Sequence, residues 1–225
     1  MSTRVLNAMI FGGAMLATLS VTTPRPAIAQ EIDYLDRAVS AWAKVKTVRA
    51  TFEQTLTNTL TGRSMTAAGE YQQERPGKLS IAFSSPANDR IITDGQWVWI
   101  YLPSTVKDQV LKSAQGPGGT GSVDLTAQFL TDPRSKYTIN PVGTLMIGGR
   151  HTHGYTLTPK AAGSMTFSVA AIWIDDEESM IKQFEVVEPN GVKRKVKLIS
   201  FKTNVPVDEK AFVFTPNATT KVVLR

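Results

Sequence analysis

The chain has 225 residues, is 42% hydrophobic and 20% charged, and contains no cysteine. That is enough apolar material for one substantial domain and too little charge for a disordered chain. The missing thiols exclude a disulfide framework, a thiol nucleophile, a cysteine metal site and a lipid anchor on an N-terminal cysteine. The net charge is +6, or +4 once Arg4 and Arg25 leave with the segment 1–29, too mild for a nucleic-acid surface without a basic cluster and exposed aromatics.

Taken in order, the chain begins like a secretory leader. Arg4 precedes an apolar run over 8–21, Pro24 and Pro26 break any helix that follows, and Ala27-Ile28-Ala29 fits a small-x-small cleavage pattern. The run is too short to span a bilayer comfortably, so the expectation is a signal peptide over 1–29 and a single mature domain over 30–225. Residues 31–46 read as a helix. Ile32, Leu35, Val39, Trp42 and Val45 recur at three and four, with Asp33 and Asp36 near the start and Lys44 and Lys46 near the end, which suits the helix dipole.

At residue 47 the period switches to two. Val48, Ala50, Phe52 and Leu56 share one face of a strand over 47–57, and a thinner strand covers 66–74. Leu79, Ile81 and Phe83 alternate with Ser80, Ala82 and Ser84. Pro76-Gly77 and Asp94-Gly95 mark turns, the second a hairpin signal between apolar runs. In the strand that follows, Trp97, Trp99 and Tyr101 share one face and Val98, Ile100 and Leu102 the other. Both faces are apolar, so both need cover, and alternation does not say which one looks inward. A strand over 106–112 precedes a glycine-rich stretch, 114–122. It lacks the Gly-Lys-Ser/Thr of a phosphate loop, and Ser122 can cap a short helix over 123–130.

The second half reads as short strands at 137–140 and 155–158, then 164–175, 179–187 and 192–202. The last two are joined by a hairpin at Glu188-Pro189-Asn190-Gly191. In 164–175, Met165, Phe167, Val169, Ala171 and Trp173 share a face. The basic run 193–197 alternates with Val192, Val196 and Leu198 as a solvated strand face does. Residues 211–214 form a last edge segment. The whole is mainly β with about two helices.

Residue types for chemistry are sparse. His151 and His153, the two histidines, follow Gly148-Gly149-Arg150 in an expected turn. A His-x-His pair can hold a metal, but no carboxylate lies close in sequence, and the expectation is no metal. There is no Gly-x-Ser-x-Gly elbow. The run Asp175-Asp176-Glu177-Glu178 lacks the glycine and spacing of a calcium loop. The reading is a binding protein, not an enzyme, with no cofactor.

The order Gly69, Arg75-Pro76, Pro86, Asp94-Gly95, Trp99, Tyr101 resembles the LolA family of periplasmic carriers of outer-membrane lipoproteins. Phe52-Glu53-Gln54 before it, with Leu157-Thr158-Pro159 and 212–216 after it, agree. The resemblance runs from about 35 to 223. It implies an open antiparallel half-barrel whose concave face is covered by helices, enclosing a cavity for acyl chains. Strand alternation and family position together nominate Phe52, Leu79, Ile81 and Trp99 for that cavity, and Trp42, Phe83 and Phe167 are named with them. The arginine of the Arg-Pro pair, Arg75, is implied to hydrogen-bond to a movable helical lid and hold the empty cavity shut. Leu79 and Ile81 stand where bulkier aromatics are often found in the family. Implied partners are acylated lipoproteins, an inner-membrane lipoprotein-releasing ABC transporter and an outer-membrane lipoprotein acceptor, with no nucleic acid, and the protein is expected to be a periplasmic monomer. A second reading with the same fold is a periplasmic sensor of lipids or lipoproteins that signals through a partner.

Overall fold

The computed structural model describes residues 33–116 and 124–225. The expected leader with its expected cleavage site, positions 31–32 of the expected first helix, and Ser122 with most of the glycine-rich stretch lie outside the described residues.

Two meanders make up one open sheet. The first is β1 (Thr47–Asn58), β2 (Ser64–Glu74), β3 (Lys78–Ser85), β4 (Arg90–Asp94), β5 (Trp97–Tyr101) and β6 (Gln109–Ala114). The second is β7 (Tyr137–Ile147), β8 (Arg150–Pro159), β9 (Val169–Asp175), β10 (Ile181–Val187) and β11 (Val192–Thr203). They join where β1 pairs antiparallel with β11, Val48 facing Thr203 and Asn58 facing Val192. A final strand, β12 (Lys221–Leu224), returns to pair in parallel with β6. The order is therefore β12-β6-β5-β4-β3-β2-β1-β11-β10-β9-β8-β7, with β12 and β7 at the two edges of an unclosed sheet. This is the expected open antiparallel half-barrel.

Helix α1 (Tyr34–Trp42) starts at Asp33, whose carboxylate accepts from the amides of Leu35 and Asp36. It ends at Trp42, four residues earlier than the periodicity predicts, because the chain must turn there to enter β1. Its stripe Leu35, Ala38 and Trp42 is almost fully buried against Val48, Ala50 and Phe52 of β1, Leu157 of β8, and Ala170, Ile172 and Ile174 of β9. Helix α2 (Leu125–Leu130) adds Phe129 and Leu130 to the same core; it is followed by α3 (Pro133–Lys136). Both longer helices thus cover the concave face on the β8–β11 side.

Three parts of the secondary structure depart from expectation. Strands β7 and β8 are eleven and ten residues long, not two short pieces. Gly148 and Gly149 both take positive φ in their tight hairpin turn, a conformation glycine adopts without steric cost. The histidines consequently lie on β8, not in a turn. Strand β9 begins at Val169, and its buried face is Ala170, Ile172 and Ile174; Phe167 packs into the core from the segment before it. At the C-terminus, 211–214 is not an edge strand. Glu209–Phe212 forms a single 3-10 turn capped by Asp208, and β12 lies further on.

Candidate functional site

A cavity of about 440 Å³ opens on the concave face, within the range of about 300–1,000 Å³ common for small-ligand sites. Its walls come from both meanders. Phe52, Tyr71, Ile81, Phe83, Ile91 and Ile100 contribute from β1–β5, and Phe184, Val186, Val196, Leu198 and Phe201 from β10–β11. Thr126 of α2 lies at its side. Phe52 and Phe83 meet edge to face, ring centres 5.6 Å apart. Phe52 has this room because its cross-strand partner is Gly69: a Cβ there would collide with the Ala82 carbonyl and come within 3.0 Å of the Phe52 ring.

The cavity is polar at one place. Arg194 Nη2 bonds Glu188 Oε1 at 2.6 Å, and its Nη1 donates to Gln54 Oε1 at 3.3 Å; all three residues line the opening. The basic run on β11 is thus split. Lys193 and Lys195 turn outward to Glu185, while Arg194 turns into the mouth. A second polar chain runs beneath the helices: Tyr71 Oη donates to Gln73 Oε1 at 2.9 Å, and Gln73 Nε2 donates to Asp124 Oδ2. Asp124 also caps α2 through the Ala127 amide. Burial, and then the Asp124 carboxylate, push the Tyr71 phenol well above its usual range, so it stays a neutral donor. Asp124 is not among the residues nominated from sequence, although its signal is there, an Asp one residue before an apolar helix.

The nominated residues separate into groups. Phe52, Ile81 and Phe83 line the cavity. Trp42, Leu79 and Phe167 are buried, at 1%, 0% and 3% exposure, but none of them lines it. Trp42 and Phe167 belong to the packed core under the helices. Trp99 lies on the opposite face. Its indole donates to Asp94 at 2.9 Å, Lys112 sits 4.5 Å from its ring, and Phe214 of the C-terminal segment packs 5.5 Å away. Ile100 is the β5 residue that lines the cavity. The cover needed by the outer face of β5 is therefore the chain's own C-terminus.

Arg75 stands at the end of α1. Its Nη1 donates to the carbonyls of Trp42 at 2.8 Å and Val45 at 3.0 Å, and its guanidinium lies 4.9 Å from the Trp42 ring centre. Helix C-termini leave carbonyls without helical partners, and Arg75 supplies donors to them. Trp42 itself is buried with its indole Nε1 lacking a hydrogen-bond partner among the described residues. An unpaired buried N–H costs about 1–3 kcal/mol. The end of α1 therefore carries an Arg75 hydrogen bond and an unpaired buried donor at the same residue.

Comparison with known proteins agrees with this geometry. The family model described as "Outer membrane lipoprotein carrier protein LolA" matches residues 43–215. An outer-membrane lipoprotein carrier protein of Serratia proteamaculans is 28% identical over 177 residues, covering 79% of this chain and 81% of that one. One from Chromobacterium violaceum is 26% identical over 212 residues, 94% of each chain. Among solved structures, a conserved protein from Thermus thermophilus superposes with a TM-score of 0.53 at 14% identity, covering 85% of this chain and 97% of that one, which supports the fold. The chain belongs to the LolA family of outer-membrane lipoprotein carrier proteins.

Proposed function

We propose that this protein is a periplasmic carrier that takes the acyl chains of lipoproteins into its concave cavity and moves them from the inner to the outer membrane. The observation that carries the reading is the apolar cavity in an open sheet, continuous with the core beneath a clamped helix. Phe52, Phe184, Val186, Val196 and Leu198 belong both to the cavity wall and to the core packed against α1. Lifting α1 would therefore extend the cavity and not open a separate one. Each buried methylene contributes about 0.8 kcal/mol, so ten supply about 8 kcal/mol. Acylated proteins would arrive from an inner-membrane ABC transporter and leave to an outer-membrane acceptor, with Arg75 as the latch of the empty state.

Native mass spectrometry of the chain purified from the periplasm tests this directly. Acylated protein should co-purify, and its absence from freshly prepared material would remove the carrier reading. The same spectrum checks export, because the polypeptide should begin at Gln30; a full-length, membrane-bound chain would show that 1–29 is not cleaved.

A substitution in the wall separates cavity from core. Ile81 lines the cavity and is only partly buried. Ile81→Glu should reduce lipoprotein capture at least about tenfold while lowering stability by less than about 1.5 kcal/mol, because a wall open to water lets the carboxylate stay hydrated. Parallel losses in a pull-down and a thermal melt would identify Ile81 as plain core.

A further inference from the structure

The two imidazoles of this chain, His151 and His153, lie on the same face of β8, with ring centres 5.3 Å apart. Asp176, distant in sequence, is placed beside them by the turn between β9 and β10. His151 Nδ1 is 2.7 Å from Asp176 Oδ2, and His153 Nε2 is 2.8 Å from Asp176 Oδ1. The second contact lacks the alignment of a hydrogen bond, so both of its atoms are buried polar atoms without a hydrogen-bond partner. One ligand atom from each of the three residues falls within 4.8 Å of the others.

We propose that His151, His153 and Asp176 bind a divalent transition-metal cation, Zn²⁺ being the reference case, at the point where the first turn of α1 meets the sheet. Two imidazole nitrogens and one carboxylate oxygen form a donor set suited to zinc, copper or nickel, with a fourth position left for water. Metal–ligand bonds of about 2.0–2.1 Å at tetrahedral angles place ligand atoms about 3.3 Å apart, so insertion widens the present 2.7 and 2.8 Å contacts by about half an ångström. The cation takes the place of the hydrogen bond between His151 and Asp176. It also gives the orphaned pair, His153 Nε2 and Asp176 Oδ1, a common partner.

The surroundings hold this triad in place. The Asp176 amide donates to the His151 carbonyl at 3.2 Å, fixing the turn to β8. The neighbouring carboxylate, Asp175, is already consumed: Arg150 forks it at 2.7 and 2.8 Å, and the amides of Glu177 and Glu178 donate to it. On the other side lies α1. The Tyr34 ring stacks on His153 at 3.6 Å, and Arg37 Nη2 donates to the Asp176 carbonyl at 3.0 Å. A bound cation would fix the His153 ring on which Tyr34 rests, and so hold down the N-terminal end of α1, opposite the end that Arg75 grips.

The test uses the untagged mature chain, titrated with Zn²⁺ by calorimetry and with Co²⁺ by visible absorption. One saturable site per chain is expected, with Co²⁺ bands of a low-coordinate nitrogen–oxygen site. The double variant His151→Ala/His153→Ala should bind more than about 100-fold more weakly, beyond the usual cost of losing an outer-shell partner. Asp176→Asn keeps the shape of the turn and should lose most of the affinity, which covers the case that the double variant fails to fold. Zn²⁺ should also slow amide exchange in the first turn of α1 in the wild type and not in Asp176→Asn. No saturable binding at millimolar zinc would overturn the proposal. So would binding of unchanged affinity in either variant.

Discussion

Arg75→Leu should leave lipoprotein uptake intact and cripple release. The side chain donates two charge-assisted hydrogen bonds to the carbonyls of Trp42 and Val45, and bonds of this kind are worth about 1.5–3 kcal/mol. On the latch reading the Trp42 bond, at the last residue of α1, holds only while α1 lies on the sheet, whereas Val45 lies beyond the helix. Loss of the one bond to the helix shifts the ratio of covered to uncovered cavity by about 10–160-fold towards the uncovered state. Closure then no longer helps to expel an acyl chain, and loaded carrier should accumulate in the periplasm. An arginine with a purely structural role would instead lower stability and reduce uptake and release together. A release assay from purified loaded carrier, wild type against variant, separates the two; normal release with diminished uptake would end the latch idea.

Gly69→Ala should be strongly destabilising. Gly69 lies in the extended backbone of β2, where alanine has no conformational objection. The cost is steric. The new Cβ meets the Ala82 carbonyl, the Phe83 backbone at 3.0 Å and the Phe52 ring at 3.0 Å. Two of these three are main chain and cannot rotate away. Overpacking of this kind costs about 1–3 kcal/mol or more, which lowers the melting temperature by about 6–12 °C at the upper end for a domain of this size. Calorimetric melts of the two proteins decide the point. Because the obstruction is backbone, shortening Phe52 in the Gly69→Ala background should recover little of the loss, whereas full recovery would place the strain in the ring alone.

What is readable from the residues is whatever periodicity and turn chemistry determine locally. Leu35 and Trp42 of the predicted α1 stripe, the alternation of β1 and β3 and the Asp94-Gly95 hairpin fold where their spacing puts them, whereas Val45 lies beyond the end of the helix. Arg75 is singled out through its family motif, and its guanidinium donates to the carbonyls of Trp42, the last residue of α1, and of Val45 beyond it. What is not readable depends on distant contacts. Both faces of β5 are apolar, and only the path of the C-terminal segment, with Phe214 against Trp99 and Tyr101, shows that Ile100 faces in. Strand β7 is mostly exposed and interrupted by Pro141 and Gly143, so it carries no alternation to detect. The link between Asp176 and the histidines is made by β8 and β9 lying side by side, with His153 opposite Ile174 and Thr152 opposite Asp175, a neighbourhood that no local pattern encodes.

The β1–β11 seam has a consequence for how the molecule reaches its working form. Within each meander, successive strands are joined by turns or connections far shorter than the separation across the seam, so pairing there is local and quick. The seam joins Thr51 to Ser200, 149 positions apart. Closing a loop of that length costs about 4 kcal/mol in chain entropy, so it should follow the local hairpins. In a chain that emerges N-terminus first, the outer edge of β1 stays unpaired until β11 has arrived. The cavity draws its walls from both sides of this seam. A half-formed molecule therefore has two separate greasy sheets and no pocket, and the step that completes folding is also the step that creates the capacity to bind.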